Sequence, residues 1–412
     1  MLTSTAPTTL SAPPLQAQKH DRHVFLAQIL GHKLLGPNAS LSVGAELQGF
    51  LCRRVRRSDK TGPGEEKEKM GYLFCAKCAQ RRPVVSKYAD HLPLYRQSAR
   101  LERETGLELS RATLDGLVMR VGELLRPITL AMRQELLSGD YIQADETPVG
   151  VQSERAQGKK HQAYLWQYSR PGGAVVFDFR LGREREGPKR FLGNFAGILQ
   201  SDGYAAYDHV GGPKMVHAAC WAHARRKFFQ AVELNPEDQT ALGIVVQMDR
   251  LSEIETQARQ EALSPEDRHS LRLEKSKPLL DSIKSRIEAA RSDALPRACW
   301  PKPANYTLTL WTRLRRLLQY PVLELSNNLA ENAMRPVALG RRNWIHIGSE
   351  DAGPRAAAIV SIIETCRRLK IPVRDYLGSV LPEFSDFPIN RIAELTPSAW
   401  AAKAATQNTA AT

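Results

Sequence analysis

The runs YIQADETP (141–148), YLWQYS (164–169), AVVFDFR (174–180) and GILQSD (197–202) decide how this chain folds. Within the first, YIQAD (141–145) is a short strand-like run ending in acid. The next two are rich in aromatic and β-branched residues and are separated by Arg170, Pro171, Gly172 and Gly173, a strong hairpin turn. Within the third, Val175, Phe177 and Phe179 alternate with Val176, Asp178 and Arg180, as in a strand with one face more buried. PKRFLGNF (188–195) reads as a short helix, GILQSD as a strand ending at Asp202, and PKMVHAACWA (213–222) as a strand running into a helix. The predicted order is three antiparallel strands, helix, strand, strand, helix, which makes the chain α/β.

On both sides of this frame the pattern is helical. LPLYRQSARLERETG ends at Gly106, and Ser110 is placed to cap RATLDGLVMRVGELLR, whose Leu114, Leu117, Val118, Val121, Leu124 and Leu125 form one stripe. Two helices across a glycine-containing turn resemble a helix-turn-helix; an ordinary helical hairpin fits the pattern equally well. Residues from about 221 to 320 are nearly all helical. A further helix begins near Asn328, a turn is expected near Gly340, and AAAIVSIIETCRRLK is helical again. Residues 1 to about 20 have the Ser/Thr/Pro/Ala composition of a disordered segment, and the charged run 53–70 reads as an exposed linker. The tail from 372 holds a small helical cap.

The formal net charge of +14 favours a polyanionic partner, because lysines and arginines that neutralise phosphates release counterions. No apolar run approaches the roughly 20 residues that span a bilayer, and the N-terminus lacks the pattern of a secretory signal, so a cytoplasmic protein with no membrane association is expected. Six cysteines without framework spacing point to reduced thiols.

Asp145 and Asp202 both follow short strand-like runs, and Glu331 lies on a helix. Carboxylates projecting from rigid elements suit hard divalent cations, Mg2+ or Mn2+, and two such ions assist in-line phosphoryl displacement. The bland alternative makes Asp202 a turn residue and Glu331 a helix-dipole charge. His217, Cys220 and His223 have a spacing suggestive of zinc but no evident fourth ligand, and a strand-to-helix junction packed by Trp221 is the preferred reading. In that reading Arg225, Arg226 and Lys227 face phosphate. Arg335 follows Glu331 by one helical turn, where it meets either a phosphate or Glu331 itself. Arg341, Arg342 and Trp344 are expected after the turn, the arginines as a DNA clamp and Trp344 in the core. Cys75 and Cys78 form a CxxC, at best half of a zinc site.

The strings ADETP, FAGILQSDGYAAY, ACWAHARRKFF, NNLAENAMRP, GRRNWIHIGS and IIETCRRLKI, in this order, resemble the transposases of the bacterial insertion sequence 66 family. The resemblance runs from about Val84 to the C-terminal cap. It implies a ribonuclease H-like catalytic domain of mixed sheet and flanking helices over 140–371, with a helical insertion at about 224–320, a DNA-binding-like helical region at 84–139, and a small cap and tail at 372–412. The family triad falls on Asp145, Asp202 and Glu331; Glu146, on the opposite strand face, is the weaker candidate. The implied activity is metal-dependent cleavage and strand transfer on DNA, at the element's inverted repeats and in target DNA. A homo-oligomer and accessory element-encoded proteins are implied partners. The matching segment gives His223 and Arg226 a place near bound DNA. Residues 1–83 depart from the family pattern, which commonly includes a zinc module with two CxxC pairs. Two readings stand beside an active transposase: a decayed DNA-binding relative and a nuclease that cuts without joining.

Overall fold

The computed structural model describes residues 76–153, 159–292, 301–344, 346–384 and 387–410. Residues 1–75, with the charged linker and Cys75, lie outside the described residues, as does the side chain of Cys78. Three helices come first: α1 (Ala76–Tyr88), α2 (Leu94–Thr105) and α3 (Arg111–Leu137). Gly106 closes α2 in the left-handed conformation, and the Ser110 hydroxyl accepts from the Thr113 amide to start α3, as its position suggests. Helix α3 does not stop at Pro127. The stripe continues through Ile128, Ala131, Met132 and Leu136, all buried, and that apolar burial outweighs the hydrogen bond proline removes.

A mixed five-stranded sheet follows. Strands β1 (Tyr141–Gln152), β2 (Lys160–Ser169) and β3 (Val175–Arg180) form an antiparallel meander. Helix α4 (Glu186–Leu192) then leads to β4 (Ile198–Ser201) and β5 (Val216–Ala219), which run parallel to β1. The spatial order is β3-β2-β1-β4-β5. Five helices follow β5: α5 (Trp221–Leu234), α6 (Gln239–Gln260), α7 (Pro265–Leu271), α8 (Lys277–Ser292) and α9 (Pro301–Thr309), with the single turn α10 (Trp311–Leu314) after them. The chain returns to the sheet through α11 (Asn328–Trp344) and ends in α12 (Ala352–Arg368), α13 (Val373–Glu383) and α14 (Pro397–Ala410).

Two apolar cores result. One lies between the sheet and α1, α3, α11, α12 and α13; the other joins α5, α6, α8 and α10 to Tyr141, Ile198, Ala218 and Ala219 of the sheet. Helices α3 and α12 approach closely at Gly122, where a Cβ would stand 2.8 Å from that of Arg355. The outer edge of β3 is satisfied by α12: Ser361 Oγ accepts from Phe177 N at 2.8 Å, and Thr365 Oγ1 accepts from Val175 N and donates to Val175 O. One helical turn thus matches two strand residues, and an aggregation-prone edge is covered. Among the described residues no helix is long and apolar enough to cross a membrane.

Candidate active site

The site begins as a repeated pattern on two neighbouring strands. Gln143 and Gln200 are register partners of β1 and β4, and each precedes an aspartate by two residues. Asp145 shares the face of Gln143 on β1, and Asp202 directly follows the end of β4, close enough for its charge to act on Asp145. Beneath them the glutamines lock the strands together: Gln143 Nε2 donates to Gln200 Oε1 (3.1 Å) and to the Tyr141 hydroxyl (2.8 Å). The same side chains hold the segment that leads into α11, Gln143 through Ser326 O (3.0 Å) and Gln200 through Glu324 O (2.8 Å). Asn327 Nδ2 adds a bond to Ala144 O at 3.3 Å. Farther back, buried Arg272 pairs with Glu255 and donates to the carbonyls of Leu317, Tyr320, Pro321 and Leu323. Helix α11 thereby starts from a clamped segment, with Glu331 in its first turn.

Burial, followed by the charges of Glu146, Asp202 and Glu331, pushes the Asp145 carboxyl up to about 8, while the Glu146 amide donating to its Oδ1 at 2.9 Å pulls the other way. Asp202 Oδ1 accepts from Tyr204 N at 2.8 Å, and its carbonyl accepts from the Tyr306 hydroxyl. Gly203, at φ +90°, makes the turn. Glu331 faces His223 Nε2 at 3.4 Å and Arg226 Nη2 at 3.2 Å. Burial holds the His223 imidazole below its ordinary range, opposed by the charges of Glu331 and Asp202. Lys227 sits 4.8 Å over the Tyr306 ring.

The carboxylates fit a divalent cation by donor type, and Glu331 Oε1 is buried and makes no hydrogen bond, with His223 Nε2 3.4 Å from it. Their placement is less complete: among the described residues no group of three His, Cys, Asp or Glu side chains is close enough to hold a metal ion. Glu331 is turned toward His223 and Arg226 instead.

Residues 81–355 match the family described as Transposase IS66 family. This chain belongs to the IS66 transposase family. It is similar to the uncharacterized protein y4hP of Sinorhizobium fredii, 34% identical over 341 residues, 77% of this chain and 61% of that protein. The uncharacterized protein y4qI of the same organism is 31% identical over 332 residues, 76% of this chain and 60% of that protein. The chain thus spans about three fifths of the length of these relatives.

Seen against this IS66 membership, the basic residues divide. His223, Arg226 and Lys227 border the acids. Arg225 instead forms a two-bond ion pair with Asp249 that ties α5 to α6. Arg341 is likewise spent inside the fold, donating to Thr147 Oγ1 at 3.1 Å and Pro148 O at 2.6 Å. The expected turn at Gly340 is absent, because α11 continues to Trp344 and buries Val337 and Gly340 along the way. Arg335 and Arg342 are exposed, with no hydrogen bond or ion pair to the described residues, so Glu331 is not the partner of Arg335. Trp344 packs against Tyr88. Glu146 takes the opposite face, held by Arg183 at 2.9 and 2.5 Å and by the Tyr207 hydroxyl at 2.8 Å.

His217, Cys220 and His223 have separate partners. His217 Nε2 meets Ser201 Oγ at 2.8 Å, and burial with Arg313 nearby depresses its imidazole to about 3. Cys220 Sγ accepts from Asn327 N at 3.5 Å, and burial raises its thiol to about 11. Trp221 is buried at this strand-to-helix junction and donates to Leu314 O at 3.0 Å. Sequence reasoning missed Tyr306 and the two glutamines. The repeated Gln-x-Asp of QAD and QSD was the available signal for the latter.

Proposed function

We propose that this chain is the catalytic part of a DDE transposase, built on a ribonuclease H-like domain, that cleaves and joins DNA strands at insertion-sequence ends. The observation that carries this reading is the placement of Asp145 on β1 and Asp202 at the end of parallel β4, each two residues past the register-matched pair Gln143 and Gln200, with the charges of Asp202 and Glu331 acting on Asp145. The sheet order, a three-strand meander followed by two parallel strands, supports the ribonuclease H-like assignment. Asp145 and Asp202 would hold Mg2+ or Mn2+, and Glu331 is the third candidate ligand. Bound divalent cations would stabilise the charge that develops on the attacking and leaving oxygens of a phosphodiester displacement. Around the acids, Arg226 and Lys227 offer positive charge to the DNA backbone, and exposed Arg335 and Arg342 extend it along α11. Inverted repeats and target DNA are the proposed substrates, held in a homo-oligomer on DNA.

The ion pairs on Glu331 favour a second reading, a transposase-derived DNA-binding protein without activity. Mg2+-dependent joining of a pre-cleaved transposon end to plasmid DNA, with wild type beside Asp145→Asn, separates them. Joining by wild type alone supports the proposal, and equal joining by both removes the catalytic assignment. Tight end binding without joining supports the second reading, whereas cleavage without joining indicates a nuclease.

A further inference from the structure

Asp145 has a further polar neighbour across the sheet. Antiparallel register pairs Asp145 of β1 with Gln167 of β2, and Asp202 lies on the other side of Asp145, at the residue that directly follows β4. Directly opposed residues hold their Cβ atoms roughly 4.5–5.5 Å apart, within reach of a glutamine amide. Gln167 is fully buried, yet neither its amide nitrogen nor its amide oxygen has a hydrogen-bond partner. One register step away, Gln143 Oε1 and Ser169 Oγ, on partnered residues, are unpartnered as well. A buried amide without partners costs about 1–3 kcal/mol, a cost that a leucine or methionine here would avoid. Packing alone therefore does not explain a glutamine at this position, and a site role does.

We propose that Gln167 is a positioning residue for Asp145. Oδ1 of Asp145 is already engaged by the Glu146 amide. The Gln167 N–H donates to the other carboxylate oxygen when the site is loaded and fixes the direction in which Asp145 presents its charge. This rests on the transposase reading and adds a residue to its machinery.

The test uses the full chain and the pre-cleaved end, comparing wild type, Asp145→Asn and Gln167→Met for joining rate, KM for the end, and melting temperature. Gln167→Met is expected to join roughly 10- to 100-fold more slowly, the usual loss when an outer partner of a site carboxylate is removed. Its KM should be unchanged and its melting temperature equal to or above wild type, since two unpaired polar atoms are gone. Joining at the wild-type rate overturns the inference. So does a loss of rate that comes with a lower melting temperature, which would make Gln167 a packing residue. If wild type does not join, or Asp145→Asn joins equally well, the transposase reading fails and this inference fails with it; if Asp145→Asn alone is inactive, only the inference fails.

Discussion

Asp145, on β1, and Asp202, the residue that follows β4, each stand two residues beyond one of a pair of register-matched glutamines, and the two glutamines hydrogen-bond each other. The pairing brings two like charges together on a buried face, and Glu331 adds a third from the helix above. Burial first, and after it the charges of Glu146, Asp202 and Glu331, push the Asp145 carboxyl up to about 8.

That shift has a sign. An unfolded aspartate titrates near ~3.9, so between about pH 4 and pH 8 the folded chain keeps a proton that the unfolded chain has released. Stability from this group is greatest at low pH and declines as pH rises through that window. Metal-free Asp145→Asn should therefore melt above wild type near pH 8, with the gap closing toward pH 4. A gap independent of pH would contradict the assignment.

Neighbouring arginines should behave oppositely. Arg226→Ala is expected to weaken DNA binding and reduce the slope of log affinity against log salt by about 1, with stability changed by less than ~0.5 kcal/mol. Arg225→Ala removes the bond to Asp249, costs about 0.2–1 kcal/mol, and leaves the salt slope unchanged. Titrations at several salt concentrations check both.

Arg272 is buried against Glu255 and four carbonyls of the segment before α11. Arg272→Met leaves Glu255 paired with Arg268 alone, at 2.6 Å, takes the donor from four carbonyls, and should cost about 1–3 kcal/mol in urea unfolding. A loss below ~1 kcal/mol would show that the clamp is dispensable.

Gly203 follows Asp202 at φ +90°, and a Cβ there would stand 2.5 Å from Leu310 Cδ1. Gly203→Ala should cost roughly 1 kcal/mol or more and slow joining by displacing the Asp202 turn. An unfolding midpoint and joining rate matching wild type would contradict this.

Much of the frame was legible because it is local. Period-2 alternation in AVVFDFR, the turn at 170–173 and the run ILQSD correspond to β3, the hairpin turn and β4, whereas YIQAD is only the start of β1, which does not end at Asp145 but pairs with β2 as far as Gln152. Helix extents were less so. Pro127 and Gly340 look like breaks, yet tertiary burial of Ile128 and Val337 carries both helices through. The fates of Arg225 and Arg341 were hidden for another reason: their partners Asp249 and Thr147 are 24 and 194 residues away. Gln167 had no local signal at all. Its meaning comes from a strand register that places it opposite Asp145.

The central claim is that Asp145, Asp202 and Glu331 act as one site. It is tested most directly by Mg2+-dependent joining of a pre-cleaved end by Asp145→Asn, Asp202→Asn, Glu331→Gln and the Asp145→Asn/Asp202→Asn double variant. Groups that act as a unit are non-additive, so each single change should abolish joining while end binding persists, and the double variant should lose no more than either aspartate variant alone. Joining retained by any single variant, or losses that multiply in the double variant, would contradict a shared site.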